Sequence, residues 1–382
     1  MKKVSLVHAQ AVCPGLGTGS KRQLADVVRE ECPSLAEGAT FRQSPLVPGG
    51  HAQTVFAFLG YYAYYAHSLV SPRFTREVFR LSDGGSVILD WALCENHTER
   101  PVVTVVSGVT GTSCDYYVRK CYEELAGLQY SVVVVHSRGC IAVGAGSRLT
   151  TPLPFHCGLT TDYREVVADI RKRLPQCPLF GLSFSLGANI MAKYVGEEGE
   201  RCPLVAAVSV GNPYDMYRVI RHLDAQWIGC TRVYDVAILN FLKTAFKSNR
   251  DAILSAPAGF NAKKIARSAS IMEFTEEMTR KAFGYDSAKH LLDDSSCQPH
   301  LRNIRIPMLF LNSLDDPICI RPLIPFEEFA SNPYLVLALT DDGGHIGYVG
   351  GLWPKSWIEH PVSQFFQAML VHAEPSQRGE QL

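Results

Sequence analysis

The sequence predicts an α/β protein: a mostly parallel central sheet, helices on both faces, and a helical cap inserted late in the chain. Three observations carry this. Short, continuously apolar, β-branched runs recur from residue 76 onward, and helical patterns separate them, which is how strands buried on both faces of a parallel sheet read. The alternation then stops for about 95 residues, 211–305, in which helical patterns (216–223, 234–246, 275–282) occur without a convincing strand. One strand, finally, runs straight into a helix with a serine at the junction.

Taken in order, residues 76–82 (REVFRLS) and 86–91 (SVILDW) bracket Asp83-Gly84-Gly85, a hairpin-turn signal. The next strands are expected at 102–108, 131–136, 177–184, 203–210, 306–312 and 334–339. Helices are expected at 161–174 and 187–196, with a closing helix over 357–372. This divides the chain into a sheet core (76–210 and 306–372), a helical cap (211–305) and a C-terminal tail (373–382). Residues 1–75 lack a strand pattern and read as a helical extension packed on the core.

Composition removes several functions. With 37 Lys+Arg against 37 Asp+Glu among 382 residues, the chain carries no electrostatic footprint for nucleic acid. At 47% apolar and 19% charged residues it is not a disordered chain. The twelve cysteines never fall in C-x-x-C spacing, so they read as reduced thiols rather than as a zinc or redox site. After Met1-Lys2-Lys3 the apolar character is broken by His8, Gln10 and Pro14, a poor secretory leader, which points to the cytosol. Between Arg42 and Arg73 there is no charged residue, and 55–70 (VFAFLGYYAYYAHSLV) is aromatic. Its tyrosines and His67 disfavour a membrane span; it reads as a buried or surface helix, with peripheral lipid contact as the alternative.

The chemistry concentrates at 180–189, FGLSFSLGAN. A strand–serine–helix turn holds the serine in a strained backbone conformation and presents its Oγ at the strand's C-terminal end. Two registers compete. Gly181-x-Ser183-x-Ser185 lacks the second glycine, whereas Ser183-x-Ser185-x-Gly187 lacks the first; Ser185 is favoured because Gly187 and Ala188 let the following helix pack closely. A hydroxyl needs a base and a group to orient that base. Both partners are expected after late strands, acid before histidine. Asp315-Asp316 follows the strand at 306–312, with Asp316 favoured as the acid and Asp315 read as a cap. His345, among Gly343, Gly344 and Gly347, follows the strand at 334–339. The oxyanion donors expected are the N–H groups of Leu186 and of Val109, the latter in the glycine-flanked loop 107–111.

With these residues in place the chain resembles α/β-hydrolases of the AB hydrolase superfamily, family-four branch. That branch includes abhydrolase-domain lipases and phospholipases of animals, medium-chain esterases of yeast, and plant and bacterial relatives. The resemblance rests on PLVPGGHAQT (45–54), SGVTGTSCDYYVR (107–119), HSRGC (136–140), FHCGLTTDYREVV (155–167), SLGANIMAKYVGEEG (185–199), NSLDDP (312–317) and DDGGHIGYVGG (341–351), in order over residues 41–370. It implies the α/β-hydrolase fold and carries the family's serine, acid and base onto Ser185, Asp316 and His345. The family's usual elbow glycine is Ser183 here, and its usual proline before the oxyanion loop is Ser107. An H-x-x-x-x-D acyltransferase motif reported in part of the family is absent.

The expected function is therefore serine hydrolysis of carboxylic esters, with lipid-like or medium-chain acyl substrates. The alternatives are a thioesterase or peptidase with the same triad, or a non-catalytic binding protein on this fold. Epoxide and haloalkane hydrolysis are excluded because they need Asp at the elbow. No metal or other cofactor is expected, since no histidine–carboxylate cluster has ligand spacing. The P-loop-like run 15–21 (GLGTGSK) lacks the G-K-[ST] order. Arg138 reads as a structural ion-pair residue, and His51 and Gln53 as packing or hydrogen-bonding residues.

Overall fold

The computed structural model describes residues 3–17, 21–67 (backbone only over 59–67), 74–109, 111–140, 147–224 and 232–372. The tail 373–382, residues 68–70 of the aromatic stretch and 18–20 of the glycine-rich run lie outside these residues.

In chain order the strands are β1 (Ser5–His8), β2 (Thr75–Arg80), β3 (Ser86–Ala92), β4 (Val102–Val106), β5 (Ser131–His136), β6 (Leu179–Phe184), β7 (Ala206–Val210), β8 (Met308–Ser313) and β9 (Leu335–Thr340). They form one nine-stranded sheet in the order β1-β9-β8-β7-β6-β4-β5-β3-β2. The six strands from β5 to β9 across its middle pair in parallel, while β1, β2 and β3 add antiparallel edges. This is the mostly parallel α/β sheet that the apolar runs predict.

The helices labelled below are α1 (Leu24–Glu31), α2 (Gly49–His67), α3 (Tyr116–Gly127), α4 (Thr161–Arg173), α5 (Leu186–Glu198), α6 (Met216–Asp224) and α7 (Arg232–Ser248). Every residue of β4 to β9 is buried, because successive side chains point into two apolar layers. One layer joins Val103, Val105, Phe180 and Leu182 to α1, α3 and the closing helix Glu359–His372. The other joins Val102, Val106 and Leu179 to α4 and α5. Helix α5 is buried from Gly187 to Gly196, and a Cβ at Gly187 would come within 2.4 Å of the Val106 and Ser107 carbonyl oxygens. Only glycine permits that approach of helix to strand end.

The strand-free reading of residues 1–75 needs correction. Ser5–His8 is a strand, paired antiparallel with Leu339–Val336 at the sheet's edge, and β2 already begins at Thr75. A four-residue, half-exposed edge strand has little alternation to read, and its partner lies some 330 residues away, so no local turn announces it. Residues 211–305 are helical among those described and gather an apolar cluster of their own, including Met216, Ile220, Leu239 and Phe274. Within it, Thr275–Thr279 is a π-helical turn rather than plain α-helix. No helix of the described residues is long and apolar enough to cross a membrane.

Candidate active site

Ser185 sits between β6 and α5 with φ +51° and ψ −121°, a conformation that side chains other than glycine avoid. The hydrogen bond from Ser185 N to Val210 O, at 2.9 Å, pins the turn to β7. Ser183, the competing residue, is fully buried inside β6, and its hydroxyl donates to Val208 O at 3.1 Å. It is therefore turned into the sheet.

The late loops meet Ser185 at the same rim. Ser185 Oγ lies 2.7 Å from His345 Nε2, and His345 Nδ1 lies 2.8 Å from Asp316 Oδ2. The carboxylate partner assigns the proton to Nδ1, leaving Nε2 to accept from the serine. Asp316 is buried, and its other oxygen accepts the Ile318 and Cys319 N–H groups at 2.7 and 2.8 Å. Its neighbour Asp315 faces elsewhere: Oδ1 accepts Gly344 N at 2.8 Å, so this acid caps the histidine loop.

The N-terminal HAQT run supplies a support that sequence reasoning missed. Thr54 Oγ1 accepts His345 N at 2.8 Å while donating to Gly50 O at 2.7 Å. Gln53 donates to Val47 O and Val349 O and accepts Val349 N, as a hydrogen-bonding residue should. A Cβ at Gly50 would overlap Asp315 O at 1.9 Å, and one at Gly344 would reach Gly50 O at 2.3 Å. The start of α2 and the histidine loop thus pack backbone to backbone. The glycines around both motifs were the available signal, although nothing in the sequence says that they face each other.

Val109 and Leu186 line one cavity with Ser185. Gly108 brings the loop after β4 onto the turn at Ser185, where a Cβ would lie 3.3 Å from Ser185 Cβ. Beneath that loop, burial pushes the Asp115 carboxyl up to about 6, against the opposing hydrogen bond from Tyr117 Oη at 2.7 Å. The cavity has a volume of about 130 Å³ and is walled mainly by apolar side chains. Ile238, Leu242, Ala245 and Phe246 of α7 face it at helical spacing, and Thr275, Met278 and Thr279 reach it from the π-helical turn.

Cys319, Asp316 and His345 could in principle share a cation, their donor atoms lying within 4.8 Å of one another. The donors are otherwise committed. The imidazole edge facing Asp316 is taken by the carboxylate, and burial pushes the Cys319 thiol far above its ordinary value, so it stays a thiol donating to Gly211 O. Arg138 pairs with both oxygens of Asp162 and with Asp83, as a structural ion-pair residue would.

No protein-family model matches the chain. A curated relative from Picea glauca, embryogenesis-associated protein EMB8, is 30% identical over 365 residues, covering 91% of this chain and 77% of its own. The chain belongs to the AB hydrolase superfamily. Another member, human phospholipase ABHD3, is 27% identical over 369 residues and 94% of this chain, 85% of its own. Among solved structures of the superfamily fold, 2,6-dihydroxy-pseudo-oxynicotine hydrolase aligns with a TM-score of 0.51 at 15% identity, covering 84% of this chain and 73% of that one.

Proposed function

We propose that this AB hydrolase is a serine ester hydrolase acting on small lipid-like esters. The observation that carries the reading is the 2.7 Å approach of Ser185 Oγ to His345 Nε2, on a serine whose backbone is held at positive φ. Ser185 Oγ attacks the ester carbonyl as its proton passes to Nε2. Asp316 holds the ring by Nδ1 and compensates the imidazolium that forms. The Val109 and Leu186 N–H groups are the donors for the developing oxyanion. The imidazolium protonates the leaving alkoxide, and water, deprotonated by the same ring, then releases the acid from the acyl-serine.

The apolar cavity beside Ser185 supports an acyl chain as the group held there, and a phospholipase among the relatives supports a lipid-like ester. Thioesters pass through the same acyl-serine and are the secondary substrate class. The test is a panel of nitrophenyl esters of graded acyl length, run with and without detergent micelles, alongside fluorophosphonate labelling. Wild type is expected to turn over the longer esters and to label at Ser185, and Ser185→Ala to do neither. Full esterase activity in Ser185→Ala would overturn the assignment.

A further inference from the structure

Over residues 49–58, helix α2 turns one face to the histidine loop and exposes the other. Gln53, Thr54 and Ala57 point inward, whereas His51, Val55 and Phe58, at helical spacing, are exposed. On one flank His51 stacks on Tyr234 of α7, ring centroids 5.8 Å apart and nearly parallel, with Nδ1 2.9 Å from the phenol oxygen. The outward side of α7 beside that contact carries Val233, 64% exposed, and exposed Val236. On the other flank, Gln53 ties α2 to Val349, where the short antiparallel hairpin Val349–Gly350/Lys355–Ser356 begins. Its tip presents Leu352 and Trp353, 71% and 74% exposed.

The exposed charges on these three segments share one sign. Residues 43–67 contain no charged group, and 349–356 contain only exposed Lys355. In α7 the single carboxylate, Asp235, is buried and bonded to Arg232, while Lys247 is exposed. Arg42, also exposed, lies beside the hairpin through its carbonyl's approach to Gly350. Exposed Trp, Leu, Val and Phe fringed by cations, with no exposed carboxylate on these three segments, match the boundary of an anionic bilayer. A protruding two-residue tip fits a deformable acyl phase better than a rigid protein face.

We propose that α2, the outer side of α7 and the Leu352–Trp353 hairpin form a docking surface for an anionic membrane. Helix α7 lines the acyl cavity with its inner side, so a single helix separates the lipid phase from that cavity. This deepens the ester-hydrolase reading and rests on it for the lipid nature of the substrate, but its readout is independent.

The experiment sediments the full chain with phosphatidylcholine vesicles with and without phosphatidylserine, at low and high salt. Wild type is expected to bind the serine-containing vesicles. A Leu352→Ser/Trp353→Ser double variant should bind about tenfold more weakly, or worse, and Lys355→Glu should lose a smaller factor that disappears at high salt. Phe58→Ser, on a separate element, should weaken binding in the same direction. All should hydrolyse a soluble short-chain ester at the wild-type rate. Vesicle binding by a chain that cleaves no ester would uphold the surface while removing the catalytic reading. Wild type that remains in the supernatant, variants that bind as tightly as wild type, or a wild-type dimer that the double variant dissolves without any vesicle binding would each overturn the proposal.

Discussion

Two buried Asp–His pairs stand at opposite parts of the same sheet and differ in what surrounds them. At the rim beyond β8 and β9, Asp316 meets His345 at 2.8 Å; across β3 and β5, Asp90 meets His136 at 2.9 Å. Each has a serine nearby. Ser185 approaches the far nitrogen of His345, whereas Ser113 donates to the carboxylate itself at 2.6 Å, and His136 Nδ1 has no hydrogen-bond partner among the described residues. The acids also differ in their other bonds. Asp316 is held by two backbone N–H groups. Asp90 receives both arms of Arg76; burial would raise its pKa, but the bonds from Arg76, His136 and Ser113 prevail and hold it well below the usual carboxylate range. A serine, a histidine and an aspartate in mutual contact do not make an activated nucleophile. On the proposed reading the order of contact does, together with a carboxylate that, among the described residues, bonds to backbone N–H groups rather than to a guanidinium.

That contrast can be broken most directly at the serines. Ser185→Ala is expected to lower kcat/KM for a nitrophenyl ester by about 10⁴-fold or more, whereas Ser113→Ala should leave it within about threefold. Comparable losses from both would erase the distinction. At the acids, Asp316→Asn should cost roughly 10³–10⁴-fold in kcat by favouring the wrong imidazole tautomer. Asp90→Asn should spare kcat but remove about 1–2 kcal/mol of stability in urea, since it takes the buried charge from an ion pair whose other half, Arg76, is partly exposed.

A third buried histidine, His156, has no carboxylate bonded to its ring among the described residues, and burial lowers its pKa from 6.5 to about 4. Its neutral form is favoured by folding, so its contribution is complete above pH 6.5 and is lost as pH falls through that value toward 4. That loss is about 3 kcal/mol. Asp115, raised to about 6, acts in the opposite sense between about pH 4 and 6. The discriminating measurement is therefore the difference in unfolding free energy between wild type and His156→Gln across this range, and a difference independent of pH would refute the assignment. The smallest effect belongs to Ser183→Gly, which restores the family's usual residue and should change kcat/KM by less than about threefold, because the hydroxyl it removes faces β7.

Much of this was readable from residues, for reasons that differ by element. The central strands are buried on both faces and so appear as unbroken apolar runs; the expected 131–136 coincides with β5, and the other central strands fall within their expected ranges to a residue or so. The preference for Ser185 over Ser183 could be argued because Gly187 and Ala188 describe what the following helix must pack against. Choosing Asp316 over Asp315 drew its support from the family resemblance of NSLDDP rather than from local pattern, since adjacent acids differ only in the direction a loop turns them. Thr54 was invisible for another reason. Its contact with His345 crosses 291 residues, and a threonine in a helix's first turns has an ordinary local explanation. Strand β1 was hidden by shortness and by the same remoteness.

The clasp between Thr54 and the backbone of His345 has a consequence for biogenesis. During synthesis the fastening residue emerges nearly three hundred residues ahead of the loop it fastens, so the turn at Ser185 can form while His345 still has no fixed bearing. On the proposed mechanism, a nascent or clipped chain missing either end of that clasp would hold the Ser185 hydroxyl with nothing to fix the bearing of His345.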